Sequence, residues 1–207
     1  MRMTAAVVVL CAATSTTLAE CPSSPADLHG GITIMFDDGS VTQLHKGADG
    51  MIVEQTEYNS GSNSGFFARS KFGFVYVESA DTSGGEVVGD SRMVYDYGLG
   101  GLDLVTTPDT ETTRFTTERK ISFADGSSRD ERITFRTREY GERQWGACTY
   151  RVLPVEVSYF GSGDGRSQTF AYISDLGVAV YVGVTEWDTP VSVSEPVSVV
   201  RGLAPAE

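Results

Sequence analysis

Histidine and cysteine are scarce in this chain of 207 residues, which contains two histidines and three cysteines. His29 and His45 have no cysteine or carboxylate at metal-ligand spacing, so the sequence identifies no metal site. A serine nucleophile would need a sharp turn and a histidine base beside it, and the sequence offers no such arrangement. We therefore identify no catalytic residue, no metal ligand and no cofactor-binding residue.

Positive charge is also in short supply, because 16 basic residues stand against 28 acidic ones and the formal net charge is −12. Nucleic acids and anionic membranes are bound through basic surfaces, so we exclude nucleic acid as a partner. The apolar stretch at residues 4–15 is shorter than the roughly 20 residues that a membrane-spanning helix needs. We expect no transmembrane segment in the mature chain.

The N-terminal apolar stretch is predicted to be a secretory signal. Arg2 precedes it, residues 7–10 are its most apolar part, and Ala19 ends a cleavage site of small residues. We predict a signal peptide at residues 1–19 and a periplasmic or secreted bacterial protein. A lipid anchor on Cys21 is disfavoured, because the large, charged Glu20 occupies the position that lipid attachment requires to be small.

Cys21 and Cys148 are the only cysteines beyond this signal, because Cys11 lies within it. Cysteine pairs in exported proteins are usually oxidised. Closing so long a loop contributes roughly 4–5 kcal/mol to stability in the chain-entropy model. We therefore predict a Cys21–Cys148 disulfide that connects the start of the mature chain to its last third.

The pattern of turns and strands predicts an antiparallel all-β protein. Four Asp-Gly pairs separate runs of alternating apolar and polar residues, a pattern typical of tight hairpins. No stretch shows sustained helical spacing. We expect about ten strands in one domain at residues 20–189, arranged as a β-sandwich, a barrel or a half-barrel. Residues 190–207 are predicted to be a tail rich in Pro, Val and Ser, or an edge strand that could join a partner's sheet.

Three local features make this prediction specific. Residues 66–78 are predicted to form one long strand, with a bulge or bend at Gly73. Residues 102–106 are predicted to be a short strand. Pro154 has no backbone N–H, so we expect an edge position or a bulge at that point of the predicted strand 148–160.

Residues 114–151 combine nine basic with six acidic side chains in an otherwise acidic protein. Within this segment Arg119 falls on the apolar face of its strand, so we expect it near a sheet edge or paired with a carboxylate. The segment is interpreted either as solvated strands with cross-strand ion pairs or as a surface for an anionic ligand. The candidate arginines of this surface are Arg119, Arg132, Arg136, Arg138 and Arg151.

Aromatic side chains recur on the predicted strands, where they form either a filled core or the wall of an apolar pocket. We favour an exported, non-catalytic envelope protein with a binding or scaffold role. Its partner would be an envelope protein, a peptide, or a lipid or other apolar small molecule. The alternative is a periplasmic hydrolase that uses carboxylates. Two adjacent acids with opposed environments in one cleft would favour that alternative.

Overall fold

A computed structural model of the protein describes residues 20–59, 63–104, 108, 114–160, 166–186 and 189–203. The predicted signal peptide and its cleavage site lie outside the described residues, so both stay predictions. In chain order the strands are β1 Ile32–Phe36, β2 Val41–Lys46, β3 Ile52–Glu57, β4 Ser64–Lys71, β5 Val75–Ser83, β6 Glu86–Val87, β7 Met93–Asp96, β8 Arg114–Phe123, β9 Ser128–Thr137, β10 Gly141–Trp145, β11 Cys148–Phe160, β12 Arg166–Ile173, β13 Val178–Glu186, β14 Thr189–Val193 and β15 Pro196–Arg201.

The prediction of an antiparallel all-β protein is confirmed, but the described chain has fifteen strands where about ten were expected. All of them belong to one open sheet, and not to the two sheets of a sandwich. Its hydrogen-bonded order is β14-β13-β12-β11-β9-β8-β7-β5-β4-β3-β2-β1-β15, with β10 added to β11 and β6 to β5. The helices in the described part of the chain are two single turns, α1 at Asp27–Gly30 and α2 at Gly101–Leu104, and a 3₁₀ turn at Gly89–Ser91.

The two ends of this sheet meet at one corner of the chain, because β14 and β15 are separated only by Ser194 and Glu195. The Ser194 N–H donates to the Val182 carbonyl on β13 at 2.9 Å. Glu195 and Asp37 exchange hydrogen bonds of 3.0 Å across the β1–β2 turn. The sheet therefore curls around an interior. The predicted tail supplies two edge strands of this sheet, and its boundary at residue 190 stays a prediction.

Two hydrophobic clusters fill much of this interior. The first lies around α1 and includes Leu28, Ile34, Leu44 and Trp145. The second is aromatic: the ring of Phe74 lies 5.6 Å from that of Phe135 and 6.2 Å from that of Phe170, centroid to centroid. Burial of such side chains stabilises the sheet by about 2 kcal/mol per large apolar group.

The predicted disulfide is present between Cys21 and Cys148, whose Cα atoms are 5.7 Å apart. It joins the segment before α1 to the first residue of β11, and Cys148 is buried in the first hydrophobic cluster. The bond thus closes a loop over a sequence separation of 127 residues, a covalent constraint on the unfolded chain that favours the folded state.

The predicted strand over 66–78 is wrong, because the chain reverses at Phe72 and Gly73 to form the β4–β5 hairpin. Both residues have positive φ, 61° for Phe72 and 83° for Gly73. A Cβ atom on Gly73 would lie 2.2 Å from the Ala179 carbonyl oxygen, while the Ala179 N–H donates to the Phe72 carbonyl at 2.8 Å. Glycine is needed here for the turn and for the close approach of β13.

Two further local predictions are corrected. The predicted strand at 102–106 begins inside helix α2, and residues 105 and 106 lie outside the described part of the chain. Pro154 is not on an edge strand, because β11 lies between β9 and β12. One side of β11 pairs with β10 up to Val152 and with β9 from Val155. Pro154 lies in the gap between these partners, where its missing N–H removes no ladder bond.

Candidate functional site

The interior of the curled sheet contains two adjacent cavities, of about 360 Å³ and about 430 Å³. We call the first the Glu54 cavity; Phe36, Asp38, Glu54, Thr56, Tyr58 and Ser194 are among its walls. We call the second the Arg119 cavity; Tyr95, Arg119, Glu131, Tyr159, Arg129 and Arg166 are among its walls. Four residues line both cavities: Phe66, Tyr76, Gln168 and Tyr181.

The boundary between the cavities is largely aromatic. The Tyr76 ring lies 5.9 Å from the Phe66 ring and 6.5 Å from the Tyr95 ring, measured between centroids. Gln168 adds a polar group, since its side-chain oxygen accepts a hydrogen bond from the Tyr159 hydroxyl. The aromatic residues of the sequence thus form both core and cavity wall, and the cavities also contain ionisable groups that the sequence did not predict there.

Glu54 reaches the interior because β3 alternates, with Ile52, Glu54 and Thr56 buried. Its cross-strand neighbours are Leu44 on β2 and Ala68 on β4. Both neighbours are apolar, so Glu54 has no basic partner across either strand pair. The residue is only 3% exposed. A carboxyl group in such surroundings loses its hydration without gaining an opposite charge.

Only one oxygen of the Glu54 carboxyl group has a hydrogen-bond partner among the described residues. The Thr56 hydroxyl donates to Oε1 at 3.2 Å. Since that hydroxyl has one proton, Thr42 is the donor in the 2.8 Å hydrogen bond between the two threonines. Oε2 is buried without a partner. Burial raises the pKa of Glu54 to about 7, and the hydrogen bond from Thr56 opposes this rise.

Asp38 and Tyr58 lie at the mouth of the Glu54 cavity. Desolvation acts to raise the pKa of Asp38, but hydrogen bonds from Ser40 and Ser194 outweigh it and lower this pKa. Tyr58 is 48% exposed, and burial of its hydroxyl together with the Glu54 charge raises its pKa to about 12. The described walls of this cavity include two acids and no basic residue, so no side chain of these walls supplies a positive charge to either acid.

Arg119 pairs with Glu131, its direct cross-strand neighbour on β9. The Nε and Nη2 groups donate to the same Glu131 oxygen at 2.8 and 2.5 Å, and Nη1 donates to the Tyr97 hydroxyl at 3.3 Å. The guanidinium carbon lies 4.3 Å from the centroid of the Tyr95 ring and 5.3 Å from that of Tyr159. The predicted carboxylate partner is confirmed, whereas the edge position is wrong because β8 lies between β7 and β9.

Arg119 stays charged although it is only 7% exposed. Desolvation acts to lower its pKa, but its interactions with Tyr97, Tyr159 and Glu131 outweigh desolvation and raise the pKa above the ordinary value. Arg129 approaches the second Glu131 oxygen at 3.6 Å. The positive charge of Arg119 is thus compensated by Glu131, and the guanidinium is enclosed by side chains of the protein itself.

The structure does not bring the five candidate arginines together. Arg119 faces the interior, whereas the other four are exposed. Arg132 lies over the Phe160 ring at 5.3 Å and Arg151 over the Tyr140 ring at 3.9 Å, guanidinium carbon to centroid. Arg138 pairs with Glu156 at 3.2 Å, and Arg136 lies opposite Glu156 on β11. An anionic ligand on these exposed arginines stays a prediction.

Sequence reasoning missed Glu54, although a signal was present. Glu54 lies two residues after Ile52 on a regularly alternating strand, so the two side chains are on the same, inward face. The alternation of β3 alone indicates that the carboxyl group is inside the sheet. That it has no basic partner there depends on the strand register, which places Leu44 and Ala68 beside Glu54.

Comparisons with known protein families, with curated proteins and with solved structures give no match for this chain. None of the helices in the described ranges is long and apolar enough to span a bilayer. Within the same ranges, no three His, Cys, Asp or Glu side chains are grouped so that they could hold a metal ion.

Proposed function

We propose that this chain is an exported, non-catalytic binding protein that holds a small amphipathic molecule inside its curled sheet. The observation that carries this proposal is the pair of adjacent, aromatic-lined cavities of about 360 and 430 Å³. Cavities of this size, with aromatic walls and polar groups that can orient a ligand, are typical of small-molecule sites. The Cys21–Cys148 disulfide fits a periplasmic or extracellular location.

The lining determines what kind of molecule fits. Phe66, Tyr76 and Tyr181 line both cavities and offer apolar faces to the body of a ligand. Polar groups lie at the Glu54 carboxyl and at the mouth formed by Asp38 and Ser194. A molecule with an apolar body and one polar group satisfies both kinds of surface, because each buried polar group then gains a hydrogen-bond partner.

The first test is binding of the neutral fluorescent probe N-phenylnaphthylamine, with native mass spectrometry of protein from its own envelope fraction to detect a retained molecule. Ser192 is exposed and lines the mouth of the Glu54 cavity, so Ser192→Trp should narrow the entrance. We expect saturable probe binding that this variant weakens about tenfold, equivalent to about 1.4 kcal/mol.

Val193→Trp is the matched control for this test. Val193 is the next residue of β14, is 61% exposed, and is not part of the cavity wall. The Val193→Trp variant adds the same indole to the same strand but outside the cavity wall, so probe affinity should stay at the wild-type value. Absence of saturable binding by the wild-type protein, or equal losses in both variants, would contradict the proposed function.

A carboxylate-dependent hydrolase is the second candidate, because Asp38 and Glu54 line one cavity and have pKa values shifted in opposite directions. The hydrogen bonds of Asp38 weaken the case for a hydrolase, because both of its carboxylate oxygens already have partners. One Asp38 oxygen accepts hydrogen bonds from the Ser40 N–H and hydroxyl at 2.8 and 2.6 Å, and the other accepts from Ser194 at 2.7 Å. Turnover of a nitrophenyl glycoside or a peptide that Glu54→Gln abolishes would favour the hydrolase.

A further inference from the structure

One residue of the Glu54 cavity wall carries a buried acceptor without a hydrogen-bond partner. Glu54 Oε2 is buried with no partner among the described residues, while Oε1 already receives the Thr56 hydroxyl. Buried polar atoms in native proteins almost always have a hydrogen-bond partner. A ligand group that donates a hydrogen bond would supply the partner that this oxygen lacks.

The charges on the cavity wall indicate whether the ligand group that donates this hydrogen bond is neutral or cationic. The exposed Asp38 and the buried Glu54 are both acids, and the described walls contain no Lys, Arg or His. The low dielectric of a partly enclosed cavity strengthens the attraction between these carboxylates and a positive charge. A cationic donor is therefore favoured over a neutral one, and an anionic group is disfavoured.

The neighbouring Arg119 cavity shows how this fold holds a cation. There the guanidinium contacts one buried carboxylate, Glu131, and the faces of Tyr95 and Tyr159. The Glu54 cavity presents the same types of group, a buried carboxylate with Tyr58 and Phe66 among the aromatic walls. The Glu54 cavity therefore has a carboxylate and aromatic rings, but none of its described wall residues is a cation.

We propose that the Glu54 cavity binds an organic cation, a molecule with a protonated amine attached to an apolar body. The ammonium group donates to the Glu54 carboxyl group, which is part of the cavity wall, and lies among the aromatic rings, which attract cations through their faces. The apolar body extends along the wall of Phe66, Tyr76 and Tyr181. This inference rests on the proposed function and names the class of its ligand.

Binding should depend on pH, because a cation gains most from an ionised Glu54. Burial places the pKa of this group at about 7 in the empty cavity, so protonation at lower pH competes with the ligand. The other titratable groups that line the cavity are Asp38, Tyr58, Tyr76 and Tyr181. Asp38 stays ionised at pH 5.5 because its pKa is lowered, and the tyrosines stay neutral because theirs are raised.

The test uses three probes that share one apolar body: phenylbutylamine, phenylbutanol and phenylbutyrate, measured by titration calorimetry at about pH 8. We expect the amine to bind at least about tenfold more tightly than the alcohol, and the carboxylate to bind most weakly. Glu54→Gln should remove the preference for the amine and leave the affinity for the alcohol unchanged. At about pH 5.5 the wild-type affinity for the amine should fall roughly tenfold or more, and that of Glu54→Gln should not.

Glu57→Gln is the matched control, since Glu57 lies at the exposed end of the same strand and outside the cavity wall. Thermal unfolding of each variant establishes that it is folded. Binding of the alcohol without any preference for the amine, or an amine preference that survives Glu54→Gln, would overturn the cation site and leave the proposed function standing. Failure of all three probes and of N-phenylnaphthylamine would overturn the proposed function as well.

Discussion

Two glutamates are buried in this molecule, one in the wall of each cavity, and their partners differ. Glu131 is 5% exposed and Glu54 is 3% exposed. Glu131 accepts two hydrogen bonds from Arg119, whereas Glu54 accepts one from a threonine and keeps one oxygen unpartnered. Burial alone therefore does not distinguish a structural carboxylate from one available to a ligand. The distinguishing feature is whether the chain supplies the counter-charge.

The register of the sheet produces this difference. On β8 and β9 it places Arg119 directly opposite Glu131, so both charges leave water together. On β2, β3 and β4 it places Leu44 and Ala68 beside Glu54. A buried ion pair adds little net stability, but removal of one member leaves a costly unpaired charge. A lone buried carboxyl group instead resists ionisation.

The largest expected effect comes from breaking the pair. Arg119→Met leaves Glu131 buried without its main partner and should lower the free energy of unfolding by about 3–5 kcal/mol at neutral pH. Chemical denaturation measures this loss. Arg129→Met is the control, because Arg129 is about half exposed and lies 3.6 Å from Glu131, so it should cost less than about 1 kcal/mol. Equal, small losses for both variants would show that the pair does not matter for stability.

The next largest effect is the pH dependence of stability that Glu54 produces. The pKa of Glu54 is raised from 4.5 to about 7 in the folded state, so the folded state binds a proton more tightly than the unfolded state does. Its contribution to stability is present below about pH 4.5 and is lost as the pH rises through 7. Glu54→Gln removes this dependence and should raise the free energy of unfolding by up to about 3 kcal/mol at about pH 8, with little change near pH 4.5.

Glu57→Gln again serves as the control for this prediction, since its exposed carboxyl group should leave the pH profile of stability unchanged. Denaturant unfolding between about pH 4.5 and pH 8 measures both variants. A wild-type profile without this loss of stability, or one that Glu54→Gln leaves intact, would contradict the assignment of Glu54 as a lone buried acid. Greater stability with weaker cation binding in one variant would identify Glu54 as a group retained for function.

The smallest effect sharpens the comparison by removing the hydrogen bond that Glu54 does have. Thr56→Val deletes the hydroxyl that donates to Oε1, so the pKa of Glu54 should rise further above 7, by up to about one unit. Thr42→Val is the control, because it removes the bond to Thr56 and leaves the bond to Glu54. Carbon NMR titration of the glutamate carboxyl groups measures both, and equal shifts would contradict the direct role of Thr56.

Several features of the fold could be predicted because they depend on local rules. The pairing of Cys21 with Cys148 followed from elimination. The carboxylate partner of Arg119 followed from the cost of an unpaired charge on an apolar face. The strand Cys148–Phe160 was predicted with the bounds that the structure shows. Each of these inferences needs only composition, alternation or the chemistry of one side chain.

The errors arise where a local signal has two structural solutions. Gly73 permits either a bulge or a reversal, and the contact with Ala179 on distant β13 selects the reversal. Pro154 permits either an edge or an internal gap, and the change of partner from β10 to β9 supplies the gap. The choice in each case depends on a strand far away in the sequence.

The sequence by itself determined the all-β class and the disulfide, because strand alternation and the number of cysteines can be read without knowing the long-range pairings. Only the tertiary structure decided that the carboxylate beside Arg119 is that of Glu131, while Glu54 meets Leu44 and Ala68. It also decided that the sheet curls until β14 and β15 meet at one corner. Register and curvature arise from many long-range pairings together, so no short segment of the chain specifies them.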